Sequence, residues 1–210
     1  MTSSIKNIIF DLGGVLYDIR YENIADKFAT YGLHNFTQQY TQAAQTEAID
    51  LFEEGRISVP EFRDYIRSLS AVALTDQQID DAWNAIIIDL PPHRVEMLRQ
   101  LKKKYRLFLF SNTNQLNYDC FQVQLRAQYG CDIFEECFVK AYFSHEMHMR
   151  KPHVEAFRRV VTEQGLVPEE TLFIDDTARH IDGAKAVGLQ TYLLPKGVDV
   201  ATVIDEIVMG

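Results

Sequence analysis

The chain has 210 residues, 47% of them hydrophobic and 24% charged, enough for one soluble domain or a core with a smaller insertion. Its formal net charge of −9 argues against nucleic acid or an anionic membrane as the main partner. An acidic protein can still hold a phosphate where one pocket concentrates a metal ion and a lysine.

In chain order, IKNIIFD is a short apolar run that reads as a strand buried on both faces. From about Asp18 to Asp89 the texture becomes helical. YENIADKFATYGL, FTQQYTQAAQTEAIDLFEEG, SVPEFRDYIRSLS and TDQQIDDAWNAII are each amphipathic, so a helical bundle is expected after the first strand. Ser58 and Thr75 have capping-box partners in Glu61 and Gln78, and Gly32 and Gly55 read as helix stops. The aromatics Phe28, Tyr31, Phe52, Phe62, Tyr65 and Trp83 fit the core of that bundle. PPHRVEMLRQLKKKY then opens a helix with proline first and lysines last. Strand-like RLFLFS, CFVKAYFS, TLFIDD and LQTYLL alternate afterwards with helical QLNYDCFQVQLRAQYG, HVEAFRRVVTEQG and ARHIDGAKAVG. This alternation predicts an α/β fold, a parallel sheet with helices on both faces.

Cys120, Cys131 and Cys137 are odd in number and share no metal-ligand spacing, so reduced thiols are expected. The N-terminal stretch has no apolar signal core, and no apolar run approaches membrane-spanning length. A cytoplasmic protein is expected.

Several polar residues follow predicted strands: Asp11 after IIF, Ser111 after LFLF, and Asp175 and Asp176 after LFI. Lys151, in MRKPH, precedes a helix. In open parallel sheets the binding crevice lies at the carboxyl ends of the strands, so these groups should converge. Three neighbouring carboxylates repel one another unless a cation joins them, and a hard ion such as Mg²⁺ takes oxygen ligands while leaving room for phosphate. Lys151 adds a fixed positive charge. Ser111 and main-chain amides near Asn112 can donate to phosphate oxygens. An ionised Asp11 is then a candidate nucleophile.

The four motifs FDLGGVL, FSNTN, MRKP and FIDD together resemble the haloacid dehalogenase (HAD) superfamily, in that family's order and across nearly the whole chain. Within it the chain resembles phosphatases of the α-D-glucose-1-phosphate phosphatase type. The resemblance implies a Rossmann-like core (1–17 and 90–210) carrying a helical cap (18–89). It implies a Mg²⁺-dependent phosphomonoesterase acting on a small phosphorylated metabolite, with sugar phosphates favoured, through an aspartyl-phosphate on Asp11. Asp11, the backbone carbonyl of Gly13 and Asp176 would hold the metal directly, and Asp175 through a water. Ser111, Asn112 and Lys151 would bind phosphate, with Ser111 and Lys151 also catalytic.

Two residues depart from the family pattern. Gly13 stands where an acid/base aspartate is usual, and His180 where aspartate or asparagine is usual. Gly13 removes a proton donor worth about 10²–10⁴-fold for a poor leaving group. The site then suits a more acidic leaving group, such as a sugar 1-phosphate, or it draws a proton from water or a cap residue; Tyr17 and Asp18 are near in sequence. His145 and His148 are expected in a surface turn, with His148 near the substrate, and His180 on a helix surface. The rivals are a metal-free 2-haloacid dehalogenase, a phosphomutase, and a catalytically silent binding protein of the same fold.

Overall fold

The computed structural model describes residues 4–34, 36 and 46–209. The strands β1 (Asn7–Phe10), β4 (Arg106–Ser111), β5 (Lys140–Phe143), β6 (Thr171–Asp175) and β7 (Gln190–Leu193) form one sheet in the order β5-β4-β1-β6-β7. Every pairing is parallel. The α/β fold expected from the alternating pattern is the fold observed.

Period-two alternation divides the sheet's side chains between two cores. Ile8, Phe10, Leu107, Leu109, Leu172 and Ile174 pack into one cluster, and Ile9, Phe108, Phe110 and Phe173 into the other. The first is covered by residues of α5 (Pro92–Leu101), α6 (Gln115–Tyr129) and α11 (Val200–Met209). The second is covered by α9 (Val154–Glu163) and α10 (Ala178–Lys185). α11 and the short α7 (Ile133–Cys137) and α8 (Ser144–Met147) were not foreseen. All three cysteines are free. No described helix is long and apolar enough to cross a membrane.

Between β1 and α5 lie α1 (Glu22–Thr30), α2 (Glu47–Glu53), α3 (Val59–Ser68) and α4 (Asp76–Asn84). The expected helix FTQQYTQAAQTEAIDLFEEG is observed in its second half; residues 37–45 lie outside those described. Both predicted capping boxes are formed, at Ser58 and Thr75. These helices enclose a third cluster, with Trp83 against Phe62 at 4.6 Å and Phe52 stacked on Phe62 at 4.0 Å between centroids. The predicted last helix stops earlier than its pattern suggested. Ile87–Asp89 forms β3, which pairs antiparallel with β2 (Asp18–Ile19), so a two-stranded ribbon carries the chain into and out of the bundle. β-Branched Ile86, Ile87 and Ile88 prefer that extended form to another helical turn.

Specific contacts seat the bundle on the sheet domain. Ser144 Oγ lies 2.6 Å from the Glu53 carbonyl, Trp83 donates to Asn114 Oδ1 at 3.1 Å, and Arg150 pairs with Asp50 and, at 2.8 Å, with Glu53. Gly55 is in the left-handed region (φ 62°), and a Cβ there would run into the main chain of His145.

Arg94 ties the ribbon to the core. Its guanidinium donates to the Leu16 carbonyl at 3.0 Å, to Asp18 at 2.7 Å and to Asp199 at 3.1 Å. Burial pushes the Asp199 carboxyl up, but bonds from Arg94 and His93 overcome this and hold it at about 2, below its ordinary 3.8. Because the folded state holds this proton less tightly than the unfolded state, the stabilisation is present above pH 4 and is lost as pH falls toward 2. Arg94→Met should lower unfolding free energy at pH 7 by about 2 kcal/mol, since the Leu16 carbonyl and two carboxylates lose their donor. Its acid limb between pH 4 and 2 should be shallower than that of the unaltered protein. Urea melts across that range check both, and an unchanged curve would contradict the assignment.

Candidate active site

The sheet order reverses between β1 and β6, which places a crevice at their carboxyl ends. Phe10 is in register with Ile174, so Asp11 and Asp175 emerge side by side. The Asp11 amide donates to the Ile174 carbonyl at 2.9 Å, which keeps that pairing through the first residue of the turn. The turn closes on Leu12, whose carbonyl accepts from Leu16 at 2.9 Å and Tyr17 at 2.8 Å. Gly14 has φ 81°, and a Cβ there would run into the Asp176 carboxylate. Glycine at 14 therefore permits both the left-handed turn and the close approach of Asp176.

Lys151 is fully buried and bridges the site, with Nζ 2.7 Å from Asp11 Oδ1 and 2.7 Å from Asp175 Oδ2. Asn112 fixes its main chain at two points: its Nδ2 donates to the Lys151 carbonyl, and its Oδ1 accepts from the Lys151 amide, both at 2.9 Å. Asp175 also accepts from the Thr177 amide at 2.8 Å and lies 3.0 Å from His180 Nδ1 through either oxygen. Carboxylate oxygens of Asp11, Asp175 and Asp176 lie within 4.8 Å of one another.

Burial is the largest influence on Asp11; it and the charges of Asp175 and Asp176 outweigh Lys151 and push the carboxyl up to about 7. Burial, then Asp175, raises Asp176 as well. Burial alone would discharge Lys151, but Asp11 and Asp175 reverse that and hold its pKa above the ordinary value. One buried lysine thus faces three crowded carboxylates. An all-oxygen donor set with excess negative charge in a cleft fits a hard divalent cation such as Mg²⁺.

Asp11, Gly13, Ser111, Asn112, Lys151 and Asp176 all line one cleft. Asp175 is fully buried and adjoins them through Lys151. Ser111 is buried, its hydroxyl 3.3 Å from the Asn112 carbonyl. Because the Asn112 side chain is committed to Lys151, any bond from Asn112 to phosphate would come from its main chain. Two histidine expectations are corrected, while His148 lies exposed in a turn as expected but is not among the residues lining the cleft. His180 is buried beside Asp175, with its ring nitrogen Nδ1 3.0 Å from either carboxylate oxygen. His145 is buried in α8, 5.3 Å from the Tyr118 ring, and His148 turns Nδ1 to the Glu54 carbonyl at 2.9 Å. Tyr17 donates to Gln124 at 2.7 Å and Asp18 pairs with Arg94, so both suggested stand-ins for the missing acid are engaged elsewhere.

The sequence reading missed Gly14, Ile19, Tyr21, Glu53 and Arg150, and of these all but Gly14 line the cleft. A signal for Ile19 and Tyr21 was present: YDIRY follows the first turn directly. Ile19 explains how Gly13 is accommodated. A Cβ at Gly13 would lie 2.8 Å from Ile19 Cδ1, the far end of that side chain, so any side chain at 13 would have to displace the Ile19 methyl. Gly13→Ala should change the stability of the fold by less than about 1 kcal/mol, because only the Ile19 methyl must move, and Ile19→Val should make that substitution more favourable. A double-mutant cycle by urea denaturation checks this; strict additivity would show that the two side chains do not compete.

The haloacid dehalogenase-like hydrolase family matches residues 5–188. The D-ribitol-5-phosphate phosphatase of Bacteroides thetaiotaomicron is 30% identical, over 93% of this chain and 94% of that protein. The HAD family enzyme bt-2542 of the same organism, solved as an aspartate-to-alanine variant with magnesium and inorganic phosphate, superposes with a TM-score of 0.91. It is 33% identical, covering 96% of this chain and 99% of that one. A HAD-like family hydrolase from Porphyromonas gingivalis is 30% identical with a TM-score of 0.88, covering 99% and 100% of the two chains. The extent of these matches, together with an acidic cluster at the carboxyl edge of a parallel sheet, places the chain among the haloacid dehalogenase-like hydrolases.

Proposed function

We propose that this protein is a Mg²⁺-dependent phosphatase that hydrolyses the phosphate monoester of a small sugar or polyol, with Asp11 as nucleophile. The observation that carries this reading is the buried Lys151, bonded at 2.7 Å to both Asp11 and Asp175 beside a third carboxylate. Magnesium, held by Asp11, Asp176 and the Gly13 carbonyl, with Asp175 acting through a water, would neutralise the carboxylates and the substrate's phosphoryl charge.

The chain's own residues supply the remaining chemistry. Asp11 attacks phosphorus, the bond to the leaving oxygen breaks, and the phosphoryl group rests on Asp11 until water displaces it. Lys151 draws Asp11 toward its ionised form and aims it, a bound Mg²⁺ would complete that ionisation, and Ser111 donates to a phosphoryl oxygen. Asn112 holds the main chain of Lys151, and His180 holds Asp175. Residues 18–89 act as a cap that carries specificity, and the Arg150 pairs with Asp50 and Glu53 seat it.

A ribitol phosphate phosphatase among the relatives favours a phosphorylated polyol or sugar, and the magnesium complex of bt-2542 favours that ion. The free thiols fit a cytoplasmic setting.

Phosphate release from ribitol 5-phosphate, sugar 1-phosphates and p-nitrophenyl phosphate should require Mg²⁺, stop with EDTA and return when the ion is restored. Full activity in EDTA would instead favour metal-free dehalogenase chemistry. Asp11→Asn, confirmed free of deamidation, should fold normally and turn over at least about 10³-fold more slowly. Near-normal turnover would remove Asp11 as nucleophile.

A further inference from the structure

The segment from Ser111 to Asn114 leads from β4 into α6 and carries the groups assigned to phosphate. It is held at each step. Asn112 clasps the main chain of Lys151 through both ends of its amide. Asn114 Oδ1 accepts from the Asn117 amide of its own helix and from Trp83 of the bundle, both at 3.1 Å. Ser111 is in register with Phe143, so β4 and β5 leave the sheet side by side and Ser144 comes to lie against Thr113.

Ser144 is fully buried, and its Oγ accepts from the Thr113 amide at 2.9 Å. Two carbonyls stand around the same hydroxyl, that of Glu53 at 2.6 Å and that of Thr113 at 2.9 Å. A serine has one proton, so it serves one of them at a time. The shorter contact is to Glu53, the last residue of α2, where carbonyls have no donor within the helix. Gly55 lets α2 end this close, since a Cβ there would meet the main chain of His145, the residue after Ser144. The hydroxyl therefore joins the bundle directly to the segment after β4. With the end of α2 moved away, the Thr113 carbonyl is the one acceptor left to it of these two.

We propose that Ser144 is a positioning residue through which phosphate binding and seating of the bundle favour one another. The inference rests on the phosphatase reading, in which the Ser111 hydroxyl and main-chain amides near Asn112 take the phosphate. Thr113 lines the cleft and Ser144 is not among the residues lining it, so Ser144 acts through Thr113. With α2 in place, Ser144 gives its proton to Glu53 and holds the Thr113 amide, which sets the main chain beside the phosphate donors. Phosphate bound there stabilises the same arrangement, and by linkage it holds α2 against α8.

The test uses inorganic phosphate with Mg²⁺ held constant. Affinity is read as competitive inhibition of p-nitrophenyl phosphate hydrolysis, and seating as amide hydrogen exchange over Glu47–Glu53 at saturating phosphate. Phosphate should slow that exchange about threefold or more in the unaltered protein. Ser144→Ala should bind phosphate about five- to tenfold more weakly, the scale of one lost hydrogen bond, and phosphate should lose most of its effect on α2. Ser144→Cys keeps the shape with a weaker donor and should fall between the two. Ser58→Ala removes a capping box elsewhere in the bundle; it should lower stability yet leave phosphate affinity within about twofold. Phosphate that inhibits the unaltered protein without slowing exchange in α2 would overturn the proposal with no variant needed. Unchanged affinity in a folded Ser144 variant would make the residue a packing contact and overturn it too, as would an equal loss in Ser58→Ala. An unaltered protein that hydrolyses no phosphate ester in Mg²⁺ would overturn the phosphatase reading, and this inference with it.

Discussion

The site depends on the buried charge of Lys151. Lys151 has no exposed surface, and an ammonium group without partners would lose its charge in such a place. Asp11 and Asp175 prevent that, and the lysine in return lowers the cost of bringing the carboxylates together. Much of the surrounding architecture fixes this arrangement. β1 and β6 deliver the two aspartates in register, Asn112 clasps the lysine's main chain from the end of β4, and the rings of Phe110 and Phe173 stand 5.5 Å from its ammonium. Lys151 does not balance all the negative charge, as the raised carboxyls of Asp11 and Asp176 attest. That excess, together with the charge of a phosphoryl group, is what a divalent cation would neutralise.

The inserted bundle reaches the site at two places. The Arg150 pairs and the contacts of Ser144 and His148 bind the end of α2 to the segment running into Lys151. The ribbon at Ile19 packs over Gly13 and leads directly to Tyr21. Position 13 is thus not an empty version of an acid-bearing site. The end of an apolar side chain from the insertion, Ile19 Cδ1, stands where a side chain at position 13 would begin.

The elements legible in the sequence were those whose cause is local. Strand alternation, the capping boxes at Ser58 and Thr75, and the polar residues ending apolar runs all follow from patterns within a few positions, and each is observed. What escaped depends on distant partners. Ile86–Ile88 continue a helical pattern until Asp18 and Ile19 offer them an antiparallel neighbour. His180 has the spacing of a surface residue until Asp175 claims its ring. Asn112, expected beside phosphate, is spent on a residue 39 positions away. Glu53 and Arg150 are ordinary charges in sequence and meet only because α2 lies against the segment after α8.

The account turns on Asp11 carrying the phosphoryl group, and the most direct test is to catch it there. Rapid acid quench during turnover of a phosphate ester with Mg²⁺, then borohydride reduction of the acyl phosphate and peptide mass spectrometry, reads the site of attachment. The account predicts reduction of aspartate at position 11, dependent on substrate and absent in Asp11→Asn. Turnover with no trapped acyl phosphate, accompanied by inverted configuration at an isotopically chiral phosphorus, would show direct attack by water and contradict it.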